Sequence, residues 1–229
     1  MSVGSITKKG TDYRKTLMNK VKGDRNHPIN QGIHMEAHHL ISEEGIKLAR
    51  IGNTLKDSGY NINDDKNLIF LPATLPGACH LEVQLHRGDH FGPDPWAEQE
   101  DDDDDHHHIS YHMEVRDLLL ALERQIDDCR GDCSSTANKL QKMLNRTSSS
   151  IAKKIQRYQV PLSVIYKSFK NGKSMGCGNC IDIVEHRSDA INCQSDRDHH
   201  GEEHPKFRSG KFKQTITRQK SAYTLRAAQ

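Results

Sequence analysis

The sequence predicts an α+β fold, and three features carry that expectation. The run Asn67-Leu68-Ile69-Phe70-Leu71-Pro72 reads as a buried strand closed by a proline. A second short segment, Met35 to Ile41, ends in the apolar pair Leu40-Ile41 and suits one strand of a hairpin. Further on, Val115, Leu118, Leu119, Leu122 and Ile126 recur at helical spacing and give the strongest amphipathic helix of the chain.

The remaining elements follow in order. Residues 1–30 are polar and basic without a clear period, and the expectation is a lead-in loop. Ser42 followed by Glu43 and Glu44 resembles a helix start, with acids in the first turn favoured by the helix dipole. Ile46, Leu48, Ala49, Ile51 and Leu55 carry that helix to Ser58-Gly59, and Asn61 to Asp65 is a turn cluster. Residues 92–110 form a low-complexity acidic insert, expected as a loop. Leu140, Met143 and Leu144, then Ile151, Ile155 and Tyr158, predict two helices interrupted at Thr147–Ser150. The segment from Lys173 to Cys193 is rich in Gly and Cys. Lys206 to Gln229 carries seven basic residues and no acid, and is expected to be disordered or to order on binding. This gives four parts: a lead-in at 1–30, a central domain at 31–128, a helical and Cys/His-rich region at 129–205, and a basic tail at 206–229.

Composition narrows the function. Hydrophobic residues make up 34% and aromatics 5%, so the core is modest and much of the chain is solvated. The net charge of +2 hides an asymmetry. Residues 91–128 hold 2 Lys/Arg against 13 Asp/Glu, whereas residues 129–229 hold 19 against 8. A basic half of this kind suits a polyanion such as nucleic acid; the plainer reading is a solubilising tail or one that docks on the acidic insert. No apolar run approaches the ~20 residues of a membrane span, and no hydrophobic segment follows the basic residues near Met1. The expectation is therefore a chain made in a cytoplasm without a secretory signal, with no membrane partner. Its six cysteines are then thiols or metal ligands rather than disulfides.

The chemistry concentrates in histidines. His38 and His39 are adjacent at a strand end, where neighbouring side chains face opposite ways. One can hold a metal while the other stands as a base, the division of labour that phosphodiester cleavage needs. His86 and His90 have the HxxxH spacing that a helix places on one face. Asn67, between the clusters, can hold either the base's imidazole or the hairpin. Each signal alone is weak: HxxxH more often marks a solvated helix face.

The ordered series is more specific. Ala37-His38-His39-Leu40-Ile41, then Gly59-Tyr60, Asn61 to Asp65, Asn67 to Pro72, Leu85-His86-Arg87-Gly88-Asp89-His90 and Tyr111-His112 with Val115 resembles the AHH family of the HNH/endonuclease VII superfamily. The likeness spans about residues 34–125. It implies a ββα-metal (His-Me finger) nuclease core with added helices. His39 becomes the general base and Asn67 its positioner; His38, His86 and His90 become metal ligands, and Tyr111 and His112 secondary catalytic or phosphate-binding residues. It also implies one divalent cation (Mg²⁺, Mn²⁺, Ni²⁺ or Zn²⁺) and a DNA or RNA substrate. Such families include bacterial toxin modules, which implies a cognate immunity protein, a secretion-system carrier such as that of type VI secretion, and action in a target cell's cytoplasm. Two features depart from the family pattern. Leu68 follows Asn67 where a Gly is usual, and the acidic insert separates His90 from Tyr111.

The cysteines suggest a separate site. Cys177-Gly178-Asn179-Cys180 is a CxxC knuckle, with Cys193 beyond it and His199, His200 or His204 to complete a structural Cys₃His zinc site. Cys129 and Cys133 offer two more thiolates; redox-active or unpaired thiols are the alternatives. From a different class, the chain reads as a zinc-stabilised nucleic-acid-binding protein with incidental histidines. Asp101–Asp105 with His106–His108 is read as a solvated charged loop, the alternative being a nucleic-acid mimic folded over the site.

Overall fold

The computed structural model describes residues 4–7, 12–73, 75–86, 111–127, 134–162, 217–218 and 221–229. The α+β class holds: a two-stranded antiparallel sheet is packed among helices. Strand β1 (Met35–His39) pairs with β2 (Leu68–Pro72) in the register Met35 to Pro72 through His39 to Leu68. All five residues of β2 are buried, as its unbroken apolar run requires.

The first helix corrects an expectation. Residues 13–21 are not a lead-in loop but α1 (Tyr13–Val21), capped by Asp12, whose carboxylate accepts from the Lys15 amide at 2.9 Å. Leu17 and Val21 enter the core. Tyr13, Leu17 and Val21 stand four apart, with Met18 beside them, but so few apolar residues in a polar nonapeptide make a faint period.

Between the strands lie α2 (Glu43–Ala49) and α3 (Gly52–Asp57). Ser42 caps α2 by accepting from the Gly45 amide at 3.1 Å, as the Ser-Glu-Glu start predicted. The single helix expected as far as Ser58 is broken at Arg50, which takes a left-handed conformation with φ 58°. After β2 come α4 (Leu75–Leu81), α5 (Tyr111–Leu120) and α6 (Glu123–Asp127), the last two covering the amphipathic stretch. Helices α2 and α5 cross at Gly45, where an added methyl would lie 2.5 Å from Val115 Cγ1. This close approach needs glycine, and it brings Ser42 beside His112.

One long helix, α7 (Ser134–Gln156), replaces the two expected. The Thr147–Ser150 segment stays helical, with hydroxyls turned back onto the helix: Thr147 Oγ1 donates to the Met143 carbonyl and Ser149 Oγ to that of Asn145. Leu140, Leu144, Ile151 and Ile155 share one hydrophobic cluster with β2, α1 and Leu225. The boundary placed near residues 129–135 is therefore not a break in the core.

Residues 221–229 also depart from the disordered tail. They run over α4 and along the outer edge of β2: the amides of Ser221 and Tyr223 donate to the carbonyls of His80 and Leu81. The Ala228 amide then donates to the Leu68 carbonyl at 2.8 Å, and the Phe70 amide to that of Gln229 at 2.7 Å. Alternate residues Tyr223, Leu225 and Ala227 pack on the core. That period-two pattern was overshadowed by the basic residues around it. The acidic insert at 92–110, His90 and all the proposed zinc ligands (Cys177, Cys180, Cys193, His199, with Cys129 and Cys133) lie outside the described residues.

Candidate active site

The end of β1 opens on a cleft of about 770 Å³. Tyr13 and Arg14 line it from α1, His34 and Glu36 to His39 from β1 and the residue before it, Ser42 to Glu44 and Lys47 from α2 and its cap, with His86 and His112 completing it.

His39 and His38 sit back to back, as strand geometry demands. On one side, His39 Nε2 lies 2.9 Å from Asn63 Oδ1, and the Tyr13 ring meets the imidazole edge-on with centroids 4.4 Å apart. Asn63 Nδ2 donates to the Thr7 carbonyl at 3.1 Å, which fixes Oδ1 as the end facing the histidine. A carbonyl oxygen can only accept, so His39 Nε2 carries the proton and Nδ1 holds the lone pair in the neutral ring. That is the form a general base requires.

On the other side, Glu36 and His38, two apart in the strand, both reach His86. Glu36 Oε2 is 3.2 Å from His86 Nδ1, and His86 Nε2 is 3.1 Å from His38 Nδ1. His86 stands in an extended segment after α4, not on a helix, with its amide bonded to the Pro72 carbonyl at 2.8 Å. Buried Gln84, two residues earlier, ties the segment to α7 by donating to the carbonyls of Ile155 and Val160, each at 2.8 Å.

This pair fits a cation. Two imidazole nitrogens bound to one ion at ~2.1 Å stand roughly 3.0–3.4 Å apart for right-angled to tetrahedral geometry. A carboxylate behind a ligand histidine, as Glu36 is behind His86, fixes the tautomer and turns the other nitrogen to the metal. Among the described residues, no three His, Cys, Asp or Glu side chains come together to hold a metal ion. A two-imidazole platform leaves the other positions to water and phosphate oxygens, the open form that hydrolysis needs.

Asn67 does not touch His39. Its side chain is fully buried and its bonds belong to the hairpin: Oδ1 accepts from the Ile41 amide and the Ser148 hydroxyl, both at 2.7 Å, and Nδ2 donates to the carbonyls of Ile41 and Ile62. Of the two roles open to Asn67 in sequence, the structure shows the hairpin one, and Asn63 holds the imidazole. Tyr111 is also corrected. It is fully buried, its hydroxyl donates to the Leu40 carbonyl, and its ring meets His38 at 4.8 Å. Burial pushes its phenol well above the ordinary range. It therefore buttresses His38 rather than reaching a phosphate. His112 does line the cleft, with Nδ1 2.9 Å from Ser42 Oγ.

Glu36, Ser42 and Asn63 were missed as site residues by sequence reasoning. Glu36 had a usable signal, its i, i+2 placement on the face of His38. Asn63 had none beyond its turn cluster.

A family model described as a nuclease family of the HNH/ENDO VII superfamily with conserved AHH matches residues 19–157, more than half of the chain. Ala37-His38-His39 supplies the AHH. The matched stretch runs past residue 135 through all of α7 and contains every cleft residue except Tyr13 and Arg14. No curated protein and no solved structure matches the chain.

Proposed function

The chain belongs to the AHH family of HNH/ENDO VII nucleases, and we propose that it is a metal-dependent endonuclease that hydrolyses the phosphodiester bonds of DNA without sequence preference. The observation that carries this reading is the split of the β1 terminus. His39 is held by Asn63 through Nε2 on one side, and His38 faces His86 and Glu36 on the other, beside one cleft. We read β1, β2 and the helix that follows as the ββα-metal core.

His39 Nδ1 takes a proton from water, whose oxygen attacks phosphorus in line as the bond to the 3′ oxygen breaks. His38 and His86 would hold a divalent cation, which would supply charge neutralisation for the phosphate and the departing oxygen. Ser42 accepts from the Gly45 amide and can donate its own proton to His112 Nδ1, leaving His112 Nε2 as an N–H donor toward a phosphate or the leaving group. Arg14, on the cleft wall, adds positive charge for the phosphate.

The family resemblance further supports a bacterial toxin or effector, neutralised in its producer by an immunity protein. Nicking of supercoiled plasmid by the parent and by His39→Ala, across Mg²⁺, Mn²⁺, Ni²⁺, Zn²⁺ and EDTA, tests the catalytic reading. The parent should cut only with a metal, and the variant should lose about 10²–10⁴-fold in rate while keeping its circular dichroism spectrum. Equal rates for the two proteins sink the assignment; cleavage of RNA in place of DNA changes the substrate.

A further inference from the structure

One feature of the basic half lies along a single helix. Helix α7 has no Asp or Glu, and its Lys139, Lys142, Arg146 and Lys153, with Arg157 in the turn just past its end, are all exposed. At 100° per residue these five positions fall within an arc of about 60°, with exposed Ser150 at its border filling the gap between Arg146 and Lys153. The buried residues Leu140, Leu144, Ser148, Ile151 and Ile155 occupy the opposite face. Lys154, off the stripe, is the lysine that forms an ion pair, with Glu114. Among the described residues, none of the five stripe cations has a carboxylate partner.

An ordinary solvated helix mixes charges of both signs at i, i+4 spacing, because like charges on one face repel. Five cations in line without an acid make a surface that gains most from a linear polyanion. The stripe is about 27 Å long, comparable to roughly eight base pairs of duplex DNA at 3.4 Å per pair. It is also fixed relative to the cleft. Ser148, on the reverse of the same helix, donates to Asn67 Oδ1, and Asn67 holds the backbone that follows His39.

We propose that the face of α7 bearing Lys139, Lys142, Arg146 and Lys153, continued by Arg157 in the turn that follows, is a docking surface for the sugar-phosphate backbone of duplex DNA. It grips phosphates away from the bond being cut and sets the distance of the duplex from the cleft. The identity of the polyanion rests on the nuclease reading; the stripe itself rests on the helix.

The test measures binding apart from cutting. Fluorescence anisotropy of a labelled DNA duplex is followed across a salt titration in EDTA, for the parent and for the triple variant Lys139→Ala, Arg146→Ala, Lys153→Ala. Alanine keeps the helix. The variant should bind about 10–100-fold more weakly at moderate salt, and its slope of log K against log salt should flatten by about 2.7, or about 0.9 for each phosphate no longer neutralised. A second variant with Lys139→Arg and Lys153→Arg keeps the charges and should bind as the parent does. Turnover of bis(p-nitrophenyl) phosphate, too small to reach the stripe, should be equal in all three proteins. An unchanged salt slope in the triple variant overturns the proposal, and so does loss of the small-substrate activity in parallel with binding. Because the binding arm needs no cleavage, a parent that binds through the stripe but cuts nothing would refute the catalytic reading and leave this one standing.

Discussion

His39 and Asn63 lie 24 residues apart in sequence and share a hydrogen bond of 2.9 Å between Nε2 and Oδ1. The bond sets which nitrogen of the imidazole can take a proton, so the contact acts on the chemistry as well as on the fold. Asn63→Ala should lower kcat about 10–100-fold with little change in KM. Asn63→Asp is the sharper probe. A carboxylate there favours the imidazolium, so the pKa of His39 rises and the acid limb of the pH–rate profile moves to higher pH, by about one unit. A profile that stays in place would show that Asn63 does not act through His39.

Glu36→Gln removes the charge behind His86 but keeps the shape. Loss of such a partner weakens a metal site about 10–100-fold. Calorimetric titration with Mn²⁺ should show this drop, and a higher metal concentration should restore the nuclease rate. Unaltered affinity would place the cation away from His86.

Ser42 has two separable duties. Removing the α2 cap in Ser42→Ala should cost about 1 kcal/mol, read by urea unfolding. If the hydroxyl also orients His112, then Ser42→Ala, His112→Ala and the double variant will show rate losses that do not add, while the stability loss from the missing cap persists in both Ser42 variants. Additive rate losses would reduce Ser42 to a cap.

Burial holds the imidazole of His27 down to about 4 from an ordinary 6.5, although nearby Asp24 pulls the other way. Between those values the unfolded chain binds the proton and the folded one does not. Stability from this group is therefore complete above about pH 6.5 and declines as pH falls toward about 4, by about 2–3 kcal/mol in all. His27→Asn keeps a side-chain acceptor for the Ile29 amide that His27 now caps. Its urea midpoint should fall less steeply than the parent's between about pH 7 and about pH 5. Parallel curves would remove His27 as the source of the slope.

What could be read in sequence was what local pattern encodes. The apolar run of β2, the Ser42 cap and the period of α5 are each decided by neighbouring residues. The AHH triplet and its spacing from the later histidines located the cleft. Asn63 and Asn67 are a different case. Both belong to one Asn/Asp-rich stretch, and only the tertiary path decides which amide meets His39 and which becomes a buried four-bond clamp. Likewise, Thr147–Ser150 resembles a break until its hydroxyls are seen to have partners, one of them the side-chain oxygen of Asn67 across the core. Charge also misled: the basic residues after 206 suggested a solvated tail and hid the alternating packing of Tyr223, Leu225 and Ala227.

The strip formed by residues 221–229 has a consequence for how the molecule is made. Ala228 meets Leu68 across 160 positions of chain, and until that late stretch emerges the outer flank of β2 has no backbone neighbour from it. An open strand flank is adhesive toward other strands. A ribosome-bound product that still lacks this stretch therefore exposes a sticky rim beside its histidines, and residues made some 160 positions after the strand are the ones that blunt it.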